Sequence, residues 1–100
     1  MAYTVKIKKR ANRDIVKVYD YIEQMYLAPI AAENFLRGIY SRIAILETIA
    51  EVFAISTYEE VLCYGKNART IHYKGFTIIY TVRGNTVVVH RIIHGSQIKR

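Results

Sequence analysis

The sequence predicts a small two-layer α+β domain in which a helical hairpin packs on one face of a mainly antiparallel sheet. Three observations lead to this fold class. Apolar and polar residues alternate at the start of the chain and again from residue 69, apolar residues recur every three or four positions in between, and short turns join the last three strands. The predicted order is β-α-α-β-β-β, in a single domain spanning residues 1–100.

The first strand is predicted over residues 3–9, with one face on the core and the other in solvent. The apolar face holds Tyr3, Val5 and Ile7, and the opposite face holds Thr4, Lys6 and Lys8. Lys6, Lys8, Lys9 and Arg10 form a basic run beside the sheet. This run can contact nucleic acid or an acidic partner, or it can protect a strand edge.

Two amphipathic helices are predicted next, joined as an antiparallel hairpin. The apolar stripe of the first helix consists of Ala11, Ile15, Val18, Ile22 and Met25, widened by Tyr19 and Tyr26. Asp14 is predicted to lie in the first turn, where a negative charge suits the helix dipole. Pro29 is predicted to begin the second helix, whose stripe consists of Ala32, Phe35, Leu36, Ile39, Ile43 and Leu46.

The segment 50–68 is predicted to pack back on the core, because it is too apolar for a free loop. Its large apolar residues are Val52, Phe53, Ile55 and Tyr58.

The last three strands are predicted over residues 69–74, 76–83 and 86–93, with turns at Gly75 and at Gly84-Asn85. The run of three valines at 87–89 lacks alternation, so the last strand is predicted to be central and covered on both faces. Tyr73 and Tyr80 are predicted to belong to the core. The sheet face away from the helices is expected to be partly open and basic.

Composition narrows the function classes. A net charge of +7 points to nucleic acid, to an acidic protein partner, or to both. The single cysteine, Cys63, excludes an intramolecular disulfide, and no His/Cys pattern suggests a metal or another cofactor. The sequence contains neither the apolar region of a signal peptide nor a membrane-spanning run, so we expect a cytoplasmic protein.

Three stretches resemble RelE/ParE toxins. Residues 11–22 with Pro29 and residues 31–35 resemble the helical hairpin of the ParE side of the family, residues 69–82 resemble its central β-hairpin, and residues 89–95 resemble its last strand. The resemblance implies the toxin of a bacterial type II toxin–antitoxin, or plasmid stabilisation, system, which inhibits growth until a cognate acidic antitoxin neutralises it. RelE-like members of the family are mRNA interferases that cut messenger RNA on the ribosome, whereas ParE-like members are gyrase inhibitors.

The sequence departs from the RelE pattern at positions that matter for cleavage. Thr77 and Gln97 stand where the nucleases have arginines, and Thr70 and His72 stand where they have lysines. These departures favour ParE-like poisoning of DNA gyrase. A ribosome-dependent endoribonuclease stays open as an alternative, as does a degenerate member that only binds its antitoxin or operator.

Site residues follow from these alternatives. Metal-free cleavage through the 2′-hydroxyl needs a base, an acid and a cation for the phosphorane charge. If the protein is a nuclease, the candidates are His72, His94, Arg91 and Arg83. Arg91 lies in a strand predicted to be central, so its charge needs either a partner in the fold or a phosphate. His90 is interpreted as structural. Candidates for contacting nucleic acid or a protein partner are Lys6, Lys8, Lys9, Arg10, Arg69 and Lys74.

Overall fold

The structure, a computed structural model, describes residues 2–95, which form four strands and four helices. In chain order these elements are β1 (Thr4–Ile7), α1 (Lys9–Met25), α2 (Pro29–Ala44), α3 (Leu46–Ile49), α4 (Glu59–Leu62), β2 (Arg69–Tyr73), β3 (Phe76–Arg83) and β4 (Thr86–His94). The predicted α+β order is confirmed, and the single-turn helices α3 and α4 are additions to it.

The strands form one mixed sheet in the order β1-β4-β3-β2. β4 pairs parallel with β1 and antiparallel with β3, and β2 pairs antiparallel with β3. The prediction that the last strand is central is therefore confirmed. Its covering on both faces is only partial, because Val87 and Val89 are buried whereas Val88, which points to the other face, is half-buried.

Both predicted turns of the sheet are confirmed. Lys74 and Gly75 have positive φ angles of 45° and 82° between the paired residues Tyr73 and Phe76, the pattern of a tight two-residue hairpin. Gly84, with φ 59°, turns the chain between β3 and β4.

A β-bulge interrupts the pairing of β3 with β4. Tyr80 pairs with Val89 and Ile79 pairs with Arg91, so His90 is the extra residue. Val89 and Ile92 on either side belong to the main core. The bulge consequently directs His90 and Arg91 to the same side of the sheet, away from that core.

The helical hairpin of α1 and α2 packs on one face of the sheet and forms the main core. Buried residues of the helices meet buried residues of the strands there: Ala11, Ile15, Phe35, Ile39, Ile43, Ile71, Ile78, Tyr80, Val87, Val89 and Ile92. Each fully buried large aliphatic side chain contributes about 1.5–3 kcal/mol. The predicted core position of Tyr80 is confirmed, and Tyr73 is half-buried against this core.

The predicted stripe of α1 is wrong at its end, because Met25 and Tyr26 are 68% and 66% exposed. Val18 already lies beside the last residues of β4. Met25, seven residues after Val18, lies about 10 Å further along the helix at 1.5 Å per residue, past the end of the sheet. The placement of Asp14 in the first turn is also wrong. α1 begins at Lys9, almost directly after β1, so Asp14 lies in the second turn and is buried.

The opposite side of the sheet, named here the outer face, is partly covered by α4 and the residues that follow it. Val61 and Ala68 are buried there against Ile79, with Tyr64 and Ile93 half-buried beside them. The outer face is thus open at its two ends and closed in its middle.

The segment 50–68 packs back on the domain as predicted only in part. Ala50, Val61 and Ala68 are buried, but Val52, Ile55 and Tyr58 are exposed. The reason is that hydrogen bonds to backbone carbonyls, and not the burial of side chains, hold the start of the segment. Tyr80 donates a 2.6 Å hydrogen bond to the carbonyl of Ala50, and Arg69 donates to the carbonyls of Glu51 and Phe53.

Candidate functional site

A groove of about 400 Å³ lies on the outer face next to the turn between β2 and β3, and we name it the hairpin-end groove. One wall comes from α4 and the residue before it, and the floor comes from β2 and β3. The lining residues are Tyr58, Val61, Thr70, His72, Gly75, Thr77 and Gly95.

His72 is the member of the four nuclease candidates that lines this groove. Its side chain is exposed, and its Nδ1 lies 3.2 Å from the hydroxyl of Thr77, the residue opposite it in the sheet. Arg42 of α2 donates a 3.0 Å hydrogen bond to the backbone carbonyl of His72, which supports the outer edge of β2. Thr77, which stands at a family arginine position, is buried.

His94 lies at the same end of the sheet but on the other face. Its ring packs edge-to-face against Phe76 with centroids 5.4 Å apart, and Phe76 packs on the main core. It lines a groove of about 260 Å³ together with Lys17 and Val18 of α1. The sheet therefore lies between His94 and His72.

Arg91 is held by a partner in the fold. Its guanidinium donates to the two oxygens of Asp14 at 2.7 and 3.3 Å, and to the hydroxyl of Tyr64 at 3.3 Å. The hydrogen bond that Arg91 donates to Asp14 raises the pKa of Arg91. The same carboxylate accepts the backbone N–H of Ile92 at 3.0 Å. Asp14 thus accepts a backbone hydrogen bond at the edge of β4 beyond the last residue of β1, and Arg91 neutralises the charge of this carboxylate.

Arg83 ends β3 at the opposite end of the sheet. Six residues separate it from Thr77, which corresponds to about 20 Å along a strand. The structure therefore does not bring His72, His94, Arg91 and Arg83 together in one site.

The residues predicted to contact a partner also separate. Lys6, Lys8, Lys9 and Arg10 are exposed around the end of β1 and the start of α1. Lys74 lies at the β2–β3 turn with its ammonium 5.6 Å from the ring centroid of Tyr73. Arg69 is half-buried and binds backbone carbonyls of the segment after α3, so its role in the fold is structural.

A second groove, of about 570 Å³, opens at the other end of the outer face, and we name it the basic groove. It brings together two cations that the sequence left unrelated, Lys8 and Arg83, beside His90, Thr81 and Tyr64. His90 Nε2 lies 2.9 Å from the hydroxyl of Thr81, and its ring centroid is 5.8 Å from that of Tyr64. Burial, and secondarily the charge of Lys8, lower the pKa of His90. Its interpretation as a structural residue agrees with this half-buried position.

Comparison with known proteins identifies the family. The family model described as ParE toxin of the type II toxin–antitoxin system parDE matches residues 5–99. The chain belongs to the ParE toxin family. Among solved structures, the toxin is similar to a chain of the chromosomal ParDE toxin–antitoxin system from P. aeruginosa, with a TM-score of 0.77 and 20% identity over 93% of this chain and 96% of that one. No curated protein matches the toxin.

The predicted membership of the RelE/ParE toxins is thereby confirmed on its ParE side, together with the fold. The protein is the toxin of a type II toxin–antitoxin system, and its partner is an antitoxin.

The toxin also uses residues that sequence reasoning did not place in a site. Asp14 contacts Arg91 across 77 positions of sequence, and Tyr58 and Tyr64 line the two grooves. A signal for Asp14 was available, because it is spaced with Ala11, Ile15 and Val18 on the buried face of α1. No pattern in the segment 50–68 indicates which of its tyrosines line grooves.

Within residues 2–95, no cluster of three or more His, Cys, Asp or Glu side chains could hold a metal ion. None of the helices in that range is long and apolar enough to cross a membrane. Gln97, the other residue at a family arginine position, and Ser96 lie outside the described residues.

Proposed function

We propose that this toxin acts in the cytoplasm, where it poisons DNA gyrase through protein contact until an acidic antitoxin neutralises it. Membership of the ParE family supports a gyrase target over the ribosome. The observation that carries the proposal is the separation of the four side chains that a nuclease mechanism would need. His72 and His94 lie on opposite faces of the sheet, and Arg91 is paired with Asp14. Arg83 lies about 20 Å along β3 from Thr77, the residue opposite His72.

The chemistry of RNA cleavage explains why this separation matters. Without a metal, the base, the acid and the cation must all lie within hydrogen-bond reach of one phosphate. Loss of a single charge-stabilising donor costs about 3–4 kcal/mol, or two to three decades in rate. The hairpin-end groove offers His72 but holds buried Thr77 at the arginine position.

A second candidate function, cleavage of messenger RNA on the ribosome, is favoured by one observation. His72 is exposed on a groove that also holds Tyr58 and Thr70, so a titratable side chain and hydroxyl groups surround a space of about 400 Å³. A histidine side chain can act as either the base or the acid in proton transfer.

Three readouts, one with purified toxin and two in one induced culture, separate the candidates. Purified toxin added to gyrase and supercoiled plasmid is expected to trap double-strand breaks, and induction in a sensitive bacterium is expected to switch on a DNA-damage reporter. Messenger RNA ends mapped in the same culture are expected to stay unchanged. Codon-phased cleavage that disappears in His72→Ala, but persists in the His94→Ala control, would replace the gyrase proposal with the nuclease. Silence in all three readouts would leave a protein that only binds its antitoxin or operator.

The acidic character of the antitoxin is tested separately. The net charge of +7 steers an acidic partner towards the toxin. Expressed from its own operon, the toxin is expected to co-purify with a short acidic neighbour and to inhibit growth when expressed without it. A neutral or basic neighbour in the complex would contradict this part of the proposal.

A further inference from the structure

The charges of the toxin are strongly segregated along the chain. All eight Asp and Glu residues lie between residues 14 and 60, together with three of the fifteen Lys and Arg residues. The remaining twelve Lys and Arg residues lie in 1–13 and 61–100, where there is no Asp or Glu. All four strands come from these two ranges, so the sheet carries no carboxylate of its own.

The basic groove is the part of the outer face where this charge is concentrated. Lys6 and Lys8 alternate with the core residues of β1 and so point to the outer face, as does Arg83 at the end of β3. Hydroxyl groups lie between these cations, on Thr4, Thr81 and Thr86. Lys, Arg and Thr side chains are among the usual ligands of nucleic acid phosphates.

We propose that Lys6, Lys8 and Arg83 form a site on the outer face that binds the phosphate backbone of duplex DNA without reading its sequence. The choice of DNA rests on the proposed gyrase target, whose substrate is duplex DNA. The phosphate chemistry rests on the side chains alone. The toxin would then contact the DNA that gyrase holds as well as the enzyme itself.

The composition of this surface favours nucleic acid over an acidic protein. The centres of protein–protein interfaces are apolar and depleted in lysine. Of the residues lining the basic groove, Lys8, Asn67 and Arg83 are exposed, and the apolar Val88 is only half-buried. Five exposed apolar residues lie instead around the tip of the helical hairpin: Tyr21, Met25, Tyr26, Leu27 and Ile30 are 53–84% exposed.

The geometry favours a duplex over a single strand. Proteins that bind single strands stack the bases on exposed aromatic rings. Among the described residues lining the basic groove, the aromatic side chain is Tyr64, which is half-buried and packs against His90. β1 and β3 flank β4 and lie about 10 Å apart. Their cations are therefore spaced to reach phosphates on both sides of a DNA groove about 6–12 Å wide.

Salt-dependent binding to a labelled 20-base-pair duplex, measured by fluorescence anisotropy without gyrase, tests the site. Three phosphate contacts predict a slope of log K against log salt of about −2.7, which is a roughly 40-fold loss of affinity from 50 to 200 mM salt. The single variants Lys6→Gln, Lys8→Gln and Arg83→Gln are each expected to make the slope shallower by about 0.9.

A charge-matched pair of double variants provides the control. Lys8→Gln with Arg83→Gln removes two positive charges from the basic groove, and Lys17→Gln with Arg37→Gln removes the same charge from exposed positions of α1 and α2. Only the first pair is expected to reduce both affinity and slope. Equal losses in the two would show that net charge alone attracts DNA, and would overturn the site.

Chemical shifts of the three histidine rings locate the bound duplex. The His90 ring in the basic groove is expected to shift on titration with DNA, whereas His94 on the other face of the sheet is not. The proposal would be overturned in favour of a protein partner by the following result: a polyglutamate peptide binds, shifts the His90 ring and requires Lys8 and Arg83, whereas DNA does not bind. If the toxin binds the duplex but does not trap DNA breaks made by gyrase, the proposed function is wrong and the DNA-binding site is still supported.

Discussion

The contact between Asp14 and Arg91 joins the helical hairpin to the open edge of β4, and its removal is expected to destabilise the toxin measurably. The side chains of Asp14 and Arg91 are only 10% and 21% exposed. Asp14→Ala removes both hydrogen bonds to Arg91 and the acceptor for the N–H of Ile92.

The expected magnitude follows from these contacts. Breaking a buried pair from one side costs about 3–5 kcal/mol, because the remaining charge is left without its partner. Arg91 retains Tyr64 and some access to water, so we expect about 2–4 kcal/mol for Asp14→Ala. Asp14→Asn keeps an acceptor for Ile92 and is expected to cost about 1.5–3 kcal/mol, the value of a hydrogen bond to a charged group.

Urea unfolding followed by far-ultraviolet circular dichroism measures this difference. A domain of this size is stabilised by roughly 5–15 kcal/mol, so the midpoint should fall clearly with little change in the slope against urea. Asp20→Asn, on an exposed position of the same helix, is the matched control and should change stability by less than about 0.5 kcal/mol. A cost below about 0.5 kcal/mol for Asp14→Ala would refute the reasoning, because it would mean that the pair contributes nothing net.

Three further predictions concern single positions. Tyr80→Phe removes the buried hydrogen bond to the carbonyl of Ala50 and is expected to lower the free energy of unfolding by about 1–3 kcal/mol. Burial raises the pKa of Tyr80 to about 12, so the free energy of unfolding of the wild type should fall as pH rises from 10 to 12. Tyr80→Phe should lack this part of the pH dependence. His90 has a lowered pKa, so its unfolded form takes up a proton first as pH falls below 6.5. Urea titrations at pH 7.5 and 5.5 should therefore show a larger loss of stability in the wild type than in His90→Asn, and an equal loss would contradict a lowered pKa of His90 in the folded protein. Gly38→Ala places a Cβ 1.8 Å from the hydroxyl of Tyr73 and is expected to lower the melting temperature through a cost of about 1–3 kcal/mol. The same substitution should cost less when it is made in a Tyr73→Ala background than in the wild type.

Much of the fold was predictable because its signals are local. Three signals depend on residues close in sequence: the alternation in β1 and the last three strands, the helical period of α2 from Pro29, and the turns at Gly75 and Gly84. The predicted burial is wrong where a helix extends beyond the surface on which it packs. The pattern of α1 continues through Met25 and Tyr26, but nothing in a periodic pattern states where the sheet ends.

The candidate site was predictable as a set of residue types but not as an arrangement. The sequence identified the histidines and arginines that can perform phosphate chemistry, and it identified Thr77 as a departure from the nuclease pattern. It could not state that the sheet separates His72 from His94, or that Arg91 is paired with Asp14. Those facts depend on strand register and on the bulge at His90, which no local pattern specifies.

The sequence by itself determined the fold class, the basic character and the family resemblance of this toxin, because composition, periodicity and short-range turns are properties of neighbouring residues. Only the tertiary structure decided which charges meet. It paired Arg91 with a carboxylate 77 positions away, and it placed Lys8 beside Arg83 from opposite ends of the chain. The physical reason is that the parallel pairing of β1 with β4 brings the first residues of the chain against the last strand, and this contact is created only when the whole sheet forms.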